Sequence, residues 1–203
     1  MAGRPLLLAR HAETEWNACG RLQGREDSPL TVRGLGQAAA LGALARAWGV
    51  RHVATSALGR ARATGAVVAL ACGAAESVHE PLAEISFGRC AGWTLEQVRE
   101  REPEWWRERE RDRWNARWPG GESYADAALR LAAWLPDGAL EQLERPTLVV
   151  AHQSVLRALL VAAAGWPAAR ALAVPFAACE AWRLSEDGAC VRQLPEATPP
   201  VRA

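Results

Sequence analysis

Apolar positions along this chain fall into two patterns. Short unbroken runs mark strands buried on both faces. Residues 5–9 (PLLLA) are such a run, 147–151 (TLVVA) are the clearest strand, and 50–55 (VRHVAT), though broken by Arg51 and His52, suggest another. Longer stretches rich in Ala and Leu predict helices. One follows Thr31 as N-cap and runs to about Trp48, stopped by Gly49. A second spans Leu58 to Ala71 and closes at Gly73; a third spans Gln153 to Ala164 and ends at Gly165. A short strand is expected near Ser77–His79. Thr94 and Gln97 form a capping box that opens a helix, and Pro103 suits the first turn of the next (PEWWRERERDRW). Ser123 is the N-cap of a helix towards Leu143, which Pro136 and Gly138 kink or shorten. Residues 179–185 and 189–194 alternate and are joined by Asp187-Gly188, a hairpin signal.

Periodicity lapses elsewhere. Residues 10–30, with Gly20, Gly24 and Pro29, read as a long loop with room for one helical turn, and 82–92 break in the same way. Pro119-Gly120-Gly121 interrupts the helical region, and the final ATPPVRA reads as a frayed tail. Strands alternating with helices give an α/β class: a three-layer α/β/α sandwich around a mostly parallel sheet. No repeat or long linker divides the chain. Residues 1–203 are therefore expected to form one domain, with a helical lid-like insertion at about 93–122.

Composition narrows the function. Net charge is +1, from 24 basic and 23 acidic residues, so no overall field favours nucleic acid or an anionic membrane. No apolar run approaches a membrane span, and Leu6–Ala9 is too short for a signal-peptide core. The five cysteines show no zinc spacing; with no export signal they read as free thiols of a cytoplasmic protein. All 24 basic residues are arginine, so an anion site must use guanidinium forks, imidazoles or backbone N–H groups.

In α/β sheets, ligands sit beyond the carboxyl ends of the strands. Arg10-His11 follow the first strand, Ser56, Arg60 and Arg62 follow the second, and His152 follows the 147–151 strand. Two imidazoles and several guanidiniums converging there suit a phosphoryl group. Guanidinium forks bind phosphoryl oxygens and keep their charge. A neutral imidazole can be the nucleophile, and a carboxylic acid must then serve the leaving oxygen and the water.

These residues carry a resemblance. LLLARHAETEWN (Leu6–Asn17) resembles the RHGE signature of the histidine phosphatase superfamily, the phosphoglycerate mutase-like proteins. The likeness continues through Gly20–Gly24 and Asp27–Thr31, then Ser56–Thr64 (SALGRARAT), Leu82–Gly88 with Gly92, GGES at Gly120–Ser123, and Val149–His152. It covers about 150 residues in order. Ala12 stands where glycine is commoner, and Gln153-Ser154 replace a usual Gly-Gly.

The resemblance implies a metal-independent phosphomonoester phosphatase with a phosphohistidine intermediate, acting on a small phosphorylated metabolite without a cofactor. His11 would be the nucleophile; Arg10, Arg60 and His152 would hold the phosphoryl group; Glu84 would be the general acid and base. Asn17, Gln23, Gly24, Arg62 and Gln153 would line the phosphate or substrate pocket. A cofactor-dependent phosphoglycerate mutase is an alternative, and a catalytically inactive phospho-ligand binding module is a second. The compact Phe87–Gly92 segment favours the phosphatase branch over the mutases, which carry a tyrosine soon after the glutamate. Monomer and homodimer both remain open.

Residues 103–118 hold Trp105, Trp106, Trp114 and Trp118 among arginines and acids. The favoured reading is a helix burying its tryptophans beneath a solvated Glu/Arg face. A lid whose Arg107, Arg111 or Arg117 meets an anionic substrate tail comes second, and stacking on nucleic acid bases third. His52 and His79 are expected to be structural or exposed.

Overall fold

The computed structural model describes residues 6–135, 146–185 and 188–193. Six strands form one sheet: β1 (Leu6–Arg10), β2 (His52–Ser56), β3 (Ala75–His79), β4 (Thr147–Ala151), β5 (Ala181–Leu184) and β6 (Cys190–Gln193). Their order is β3-β2-β4-β1-β5-β6. The first four are parallel to one another, while β5 and β6 add an antiparallel edge.

Alternation within the apolar runs explains the layers. Leu6, Leu8, Val149 and Ala151 face one core, with Leu131, Val155, Leu156 and Leu159. Leu7, Ala9, Leu148 and Val150 face the other, with Leu41, Ala45, Ala61 and Val68. The second core is covered by α2 (Val32–Ala47) and α3 (Gly59–Cys72); the first by α6 (Tyr124–Trp134) and α7 (Gln153–Ala164). This is the expected three-layer α/β/α sandwich. Four shorter helices complete it: α1 (Glu15–Ala18), α4 (Leu95–Arg101), α5 (Pro103–Arg111) and α8 (Ala168–Ala173). Of these, α8 was not foreseen: six residues of mostly alanine give no amphipathic period.

The caps act as read. Thr31 accepts from Gly34 N–H, and Thr94 with Gln97 and Ser123 with Asp126 form capping boxes. The α6 helix ends at Trp134; Pro136, Gly138 and Leu143 lie outside the described residues, as do Asp187 and the ATPPVRA tail.

Topology places the site. The chain leaves β1 towards β2 and leaves β4 towards β5, in opposite directions along the sheet. Such a divergence opens a crevice at the strand ends. Arg10 pairs with Ala151 in register, so His11 and His152 are the next residues on adjacent strands.

Candidate active site

His11 is 3% exposed and His152 0% exposed, with ring centroids 5.1 Å apart. His11 Nδ1 is 2.7 Å from the Ala12 carbonyl oxygen, which only accepts, so Nδ1 carries the ring proton. Nε2 then holds a lone pair, and it accepts from Arg60 Nε at 3.2 Å. Burial holds His11 well below the ordinary imidazole pKa, and the nearby Arg10 and Arg60 charges push the same way. His152 is also held well below, by burial first and then by Arg60, His11 and Arg10. Its Nε2 lies 2.8 Å from Ser56 Oγ, while its Nδ1 is buried with no hydrogen-bond partner.

Arg60 is 3% exposed on the first turn of α3 and is held on every side. Nη1 donates to Glu26 O at 2.6 Å and Asp27 Oδ1 at 2.8 Å; Nη2 donates to Gly24 O at 2.8 Å. Asp27 also accepts from the Gly59 and Arg60 N–H groups, at 2.6 and 3.2 Å, and so caps α3. Arg10 ends β1, and its Nε is buried without a partner. Burial lowers its pKa; Glu84 opposes that, and Arg60 and Arg157 add to it.

Glu84, 7% exposed, sits beside this cluster in the loop after β3. Its oxygens accept from Ile85 N at 3.0 Å and, at the start of α7, from Ser154 and Val155 N–H at 3.3 Å each. Its loop is clamped from outside. Arg130 Nη1 donates to the carbonyls of Pro81 and Ala83, at 2.5 and 3.0 Å. Glu122 accepts from Ser86 N–H at 2.8 Å and pairs with Arg25 and Arg130 at 3.1 and 3.3 Å. Of the two glycines of GGES, Gly121 is required by space, since a Cβ there would stand 2.1 Å from Ser86 O, and Gly120 by its backbone, with φ +72°.

The structure therefore brings His11, Arg10, Arg60, Glu84 and His152 to one crevice. Gly24 belongs to it through its carbonyl on Arg60. Gln23, 4% exposed, supports the loop, donating to Thr14 Oγ1 at 2.8 Å and accepting from Ser28 Oγ at 3.2 Å. Asn17 closes a capping box with Thr14. Gln153 opens α7 and bonds Pro175 O. Arg62 is the correction: it is exposed, and no hydrogen bond or ion pair joins it to the cluster among the described residues. Residues two apart on a helix point to opposite sides, so α3 cannot present both Arg60 and Arg62.

Sequence reasoning placed Ser56 at a strand end without a role, and missed the supports Asp27, Glu122, Arg130 and Thr64. Thr64 Oγ1 accepts from Ala12 N–H at 3.0 Å and donates to Arg60 O at 2.8 Å, tying β1's end to α3. Asp27, Ser56, Thr64 and Glu122 all lie inside the motif blocks, and that was the available signal.

A buried pair of neutral imidazoles, ringed by fixed guanidiniums and faced by a carboxylate, has the charge and the lone pair that a phosphoryl group requires. The chain belongs to the histidine phosphatase superfamily (branch 1), whose family model matches residues 6–193. Among curated relatives it is similar to the "Probable phosphoglycerate mutase GpmB" of Salmonella paratyphi B, 38% identical over 164 residues, 80% of this chain and 76% of that protein. Among solved structures it is similar to a mycobacterial glucosyl-3-phosphoglycerate phosphatase complexed with VO3, with TM-score 0.79 and 26% identity over 94% of this chain and 96% of that one. The alpha-ribazole phosphatase from Shigella flexneri shares the fold, with TM-score 0.80 and 24% identity over 95% and 96% of the two chains. No helix among the described residues is long and apolar enough to cross a membrane.

Proposed function

We propose that the protein hydrolyses phosphate monoesters through a phosphohistidine on His11. The observation that carries this is the His11 tautomer: Nδ1–H is spent on Ala12 O, leaving the Nε2 lone pair in the crevice. An arriving phosphoryl oxygen takes the Arg60 Nε–H that Nε2 now accepts, and Nε2 attacks phosphorus. The ester P–O bond breaks, and the leaving oxygen takes a proton from Glu84. A monoester's second ionisation lies near pH ~6, so part of the substrate carries that proton in with it. In the second step water attacks phosphorus and Glu84 takes the water's proton; the P–N bond breaks and its electron pair returns to Nε2.

Arg10, with its unpartnered Nε, and Arg60 neutralise the equatorial oxygens. Ser56 Oγ accepts from Leu58 N–H at 3.2 Å, so its own proton is available to His152 Nε2. That puts the ring's one proton on Nδ1, the unpartnered atom, as a donor to phosphate. The guanidiniums supply the positive charge and His152 a neutral N–H donor, so turnover is expected without a metal. Residues 93–122 act as the lid over the leaving group.

The relatives' names favour a second reading, a phosphoglycerate mutase, which returns the phosphoryl group to the sugar acid instead of to water. The test is phosphate release from aryl phosphate, sugar phosphates, 3-phosphoglycerate, nucleotides and α-ribazole phosphate in EDTA, with His11→Ala as blank. Release that survives EDTA and vanishes in the variant supports the hydrolase. Interconversion of 3- and 2-phosphoglycerate exceeding hydrolysis, with the bisphosphate primer present, makes it a mutase.

A further inference from the structure

Beside Glu84 a cavity of about 90 Å³ separates the start of α7 from the tryptophan-rich segment. Gln153 and Ser154 tie it to the catalytic crevice, since Ser154 N–H bonds Glu84. Phe87, Trp105 and Trp118 give it apolar walls, and Arg109 and Arg113 bring charge to it. The spacing explains the choice. Trp105 and Arg109 are four positions apart on α5, so a buried Trp105 carries Arg109 inwards with it, while Arg113, past the end of the helix, reaches the cavity from the turn that follows. Arg107 and Arg111 are exposed, and Arg117 is occupied by Asp126 at 2.5 Å. The arginines anticipated to meet a substrate are thus replaced by two others.

The two inward guanidiniums are short of anions. Arg113 Nε is buried with no hydrogen-bond partner, and its Cζ stands 5.8 Å from the Tyr124 ring centroid. A third guanidinium, Arg157, donates to the Tyr124 hydroxyl at 3.2 Å and to Val174 O at 2.9 Å. No salt bridge reaches Arg109, Arg113 or Arg157 among the described residues. Glu110 is the acid beside Arg109, and its Oε1 accepts from Trp106 Nε1 at 2.8 Å. Like charges gathered where water is scarce repel one another until an anion joins them.

We propose that this cavity is a second anion subsite: the alcohol leaving the phosphoryl group carries a carboxylate or a second phosphoryl group, held by Arg109 and Arg113. Its hydrocarbon portion lies against Phe87, Trp105 and Trp118. This rests on the hydrolase reading for the place of the leaving group, because Ile85 and Ser154, which line the cavity, are the residues whose N–H groups bond Glu84, the acid that protonates that oxygen. A monoester with a neutral tail leaves the two guanidiniums uncompensated and is the poorer substrate.

Calorimetry with three phosphonates tests this without catalysis: butylphosphonate, 4-phosphonobutyrate and butane-1,4-bisphosphonate. The wild type should bind at least one charged-tail ligand tenfold or more tightly than butylphosphonate, and which one names the anion. That advantage should shrink at least fivefold in Arg109→Gln and in Arg113→Gln, either variant sufficing if the other does not fold. Equal binding of all three ligands, or an advantage that survives the substitutions, overturns the subsite. Hydrolysis of the matched phosphate esters separates the two claims. A tail advantage without phosphate release leaves the subsite and removes the hydrolase; release without a tail advantage does the reverse.

Discussion

Lowering the pH should unfold this protein through its two buried histidines. His11 and His152 are enclosed, and burial together with Arg10 and Arg60 keeps both neutral well below the usual imidazole range. In the unfolded chain each titrates near ~6.5. The unfolded state therefore binds more protons on the acid side, and stability falls as pH drops through that value, continuing down to the folded pKa. Between pH 7.5 and 5.0, protonation of a free imidazole favours unfolding by ~2 kcal/mol, or ~4 kcal/mol for the pair. A domain with a total stability of 5–15 kcal/mol, the usual span, loses about a quarter or more of it. The assay is urea unfolding of wild type and a His11→Asn/His152→Asn protein at both pH values, with the single variants, each removing about half the effect, should the double be too unstable. Carboxylates with lowered pKa, such as Asp126, lose their contribution as pH falls further and do so in both proteins, so they cancel. If the double variant loses as much stability as wild type, within ~1 kcal/mol, the buried neutral pair is not the cause.

Three further outcomes follow from the supports. Asp27→Asn removes the anion that both caps α3 and holds Arg60; kcat/KM should fall ~10–100-fold and stability by ~1–2 kcal/mol in urea titration, and unchanged kinetics would free Arg60 from that tether. Ser56→Ala frees the ring of His152, and kcat should drop roughly tenfold with KM changed little if Ser56 fixes its Nδ1 donor for the transition state; a change in KM alone would place the effect in ground-state binding. Gly121→Ala forces a methyl to within 2.1 Å of Ser86 O, so the Glu84 loop must move; a stability loss of ~1–3 kcal/mol is expected with slower turnover, and wild-type behaviour on both counts would show the loop yields freely.

The two histidines were legible because each stands where a buried apolar run stops, and a strand end in an α/β sheet has one place to point. Glu84 had no such signal. It sits in an aperiodic loop, and its motif alone marked it. What the supports bind was illegible for a different reason: Ser56, foreseen only as a strand-end residue, meets His152 across 96 residues, and Thr64 meets Ala12 across 52, so their partners depend on strand order. That order, β3-β2-β4-β1-β5-β6, is not written in the hydrophobic pattern, although the β5–β6 hairpin was. The tryptophan segment shows the same limit. Burial of Trp105 and Trp118 was foreseen, but which arginines turn inwards depends on which tryptophan anchors the helix.

The central claim is a covalent bond between phosphorus and His11 Nε2. Rapid quenching of wild type with an aryl phosphate, followed by peptide mass spectrometry under alkaline conditions, tests it most directly. A phosphoryl adduct on the His11 peptide that is lost in acid, and absent from the His11→Ala protein, is the predicted result. Steady turnover with no adduct at any quench time, or an adduct on His152 instead, would contradict it.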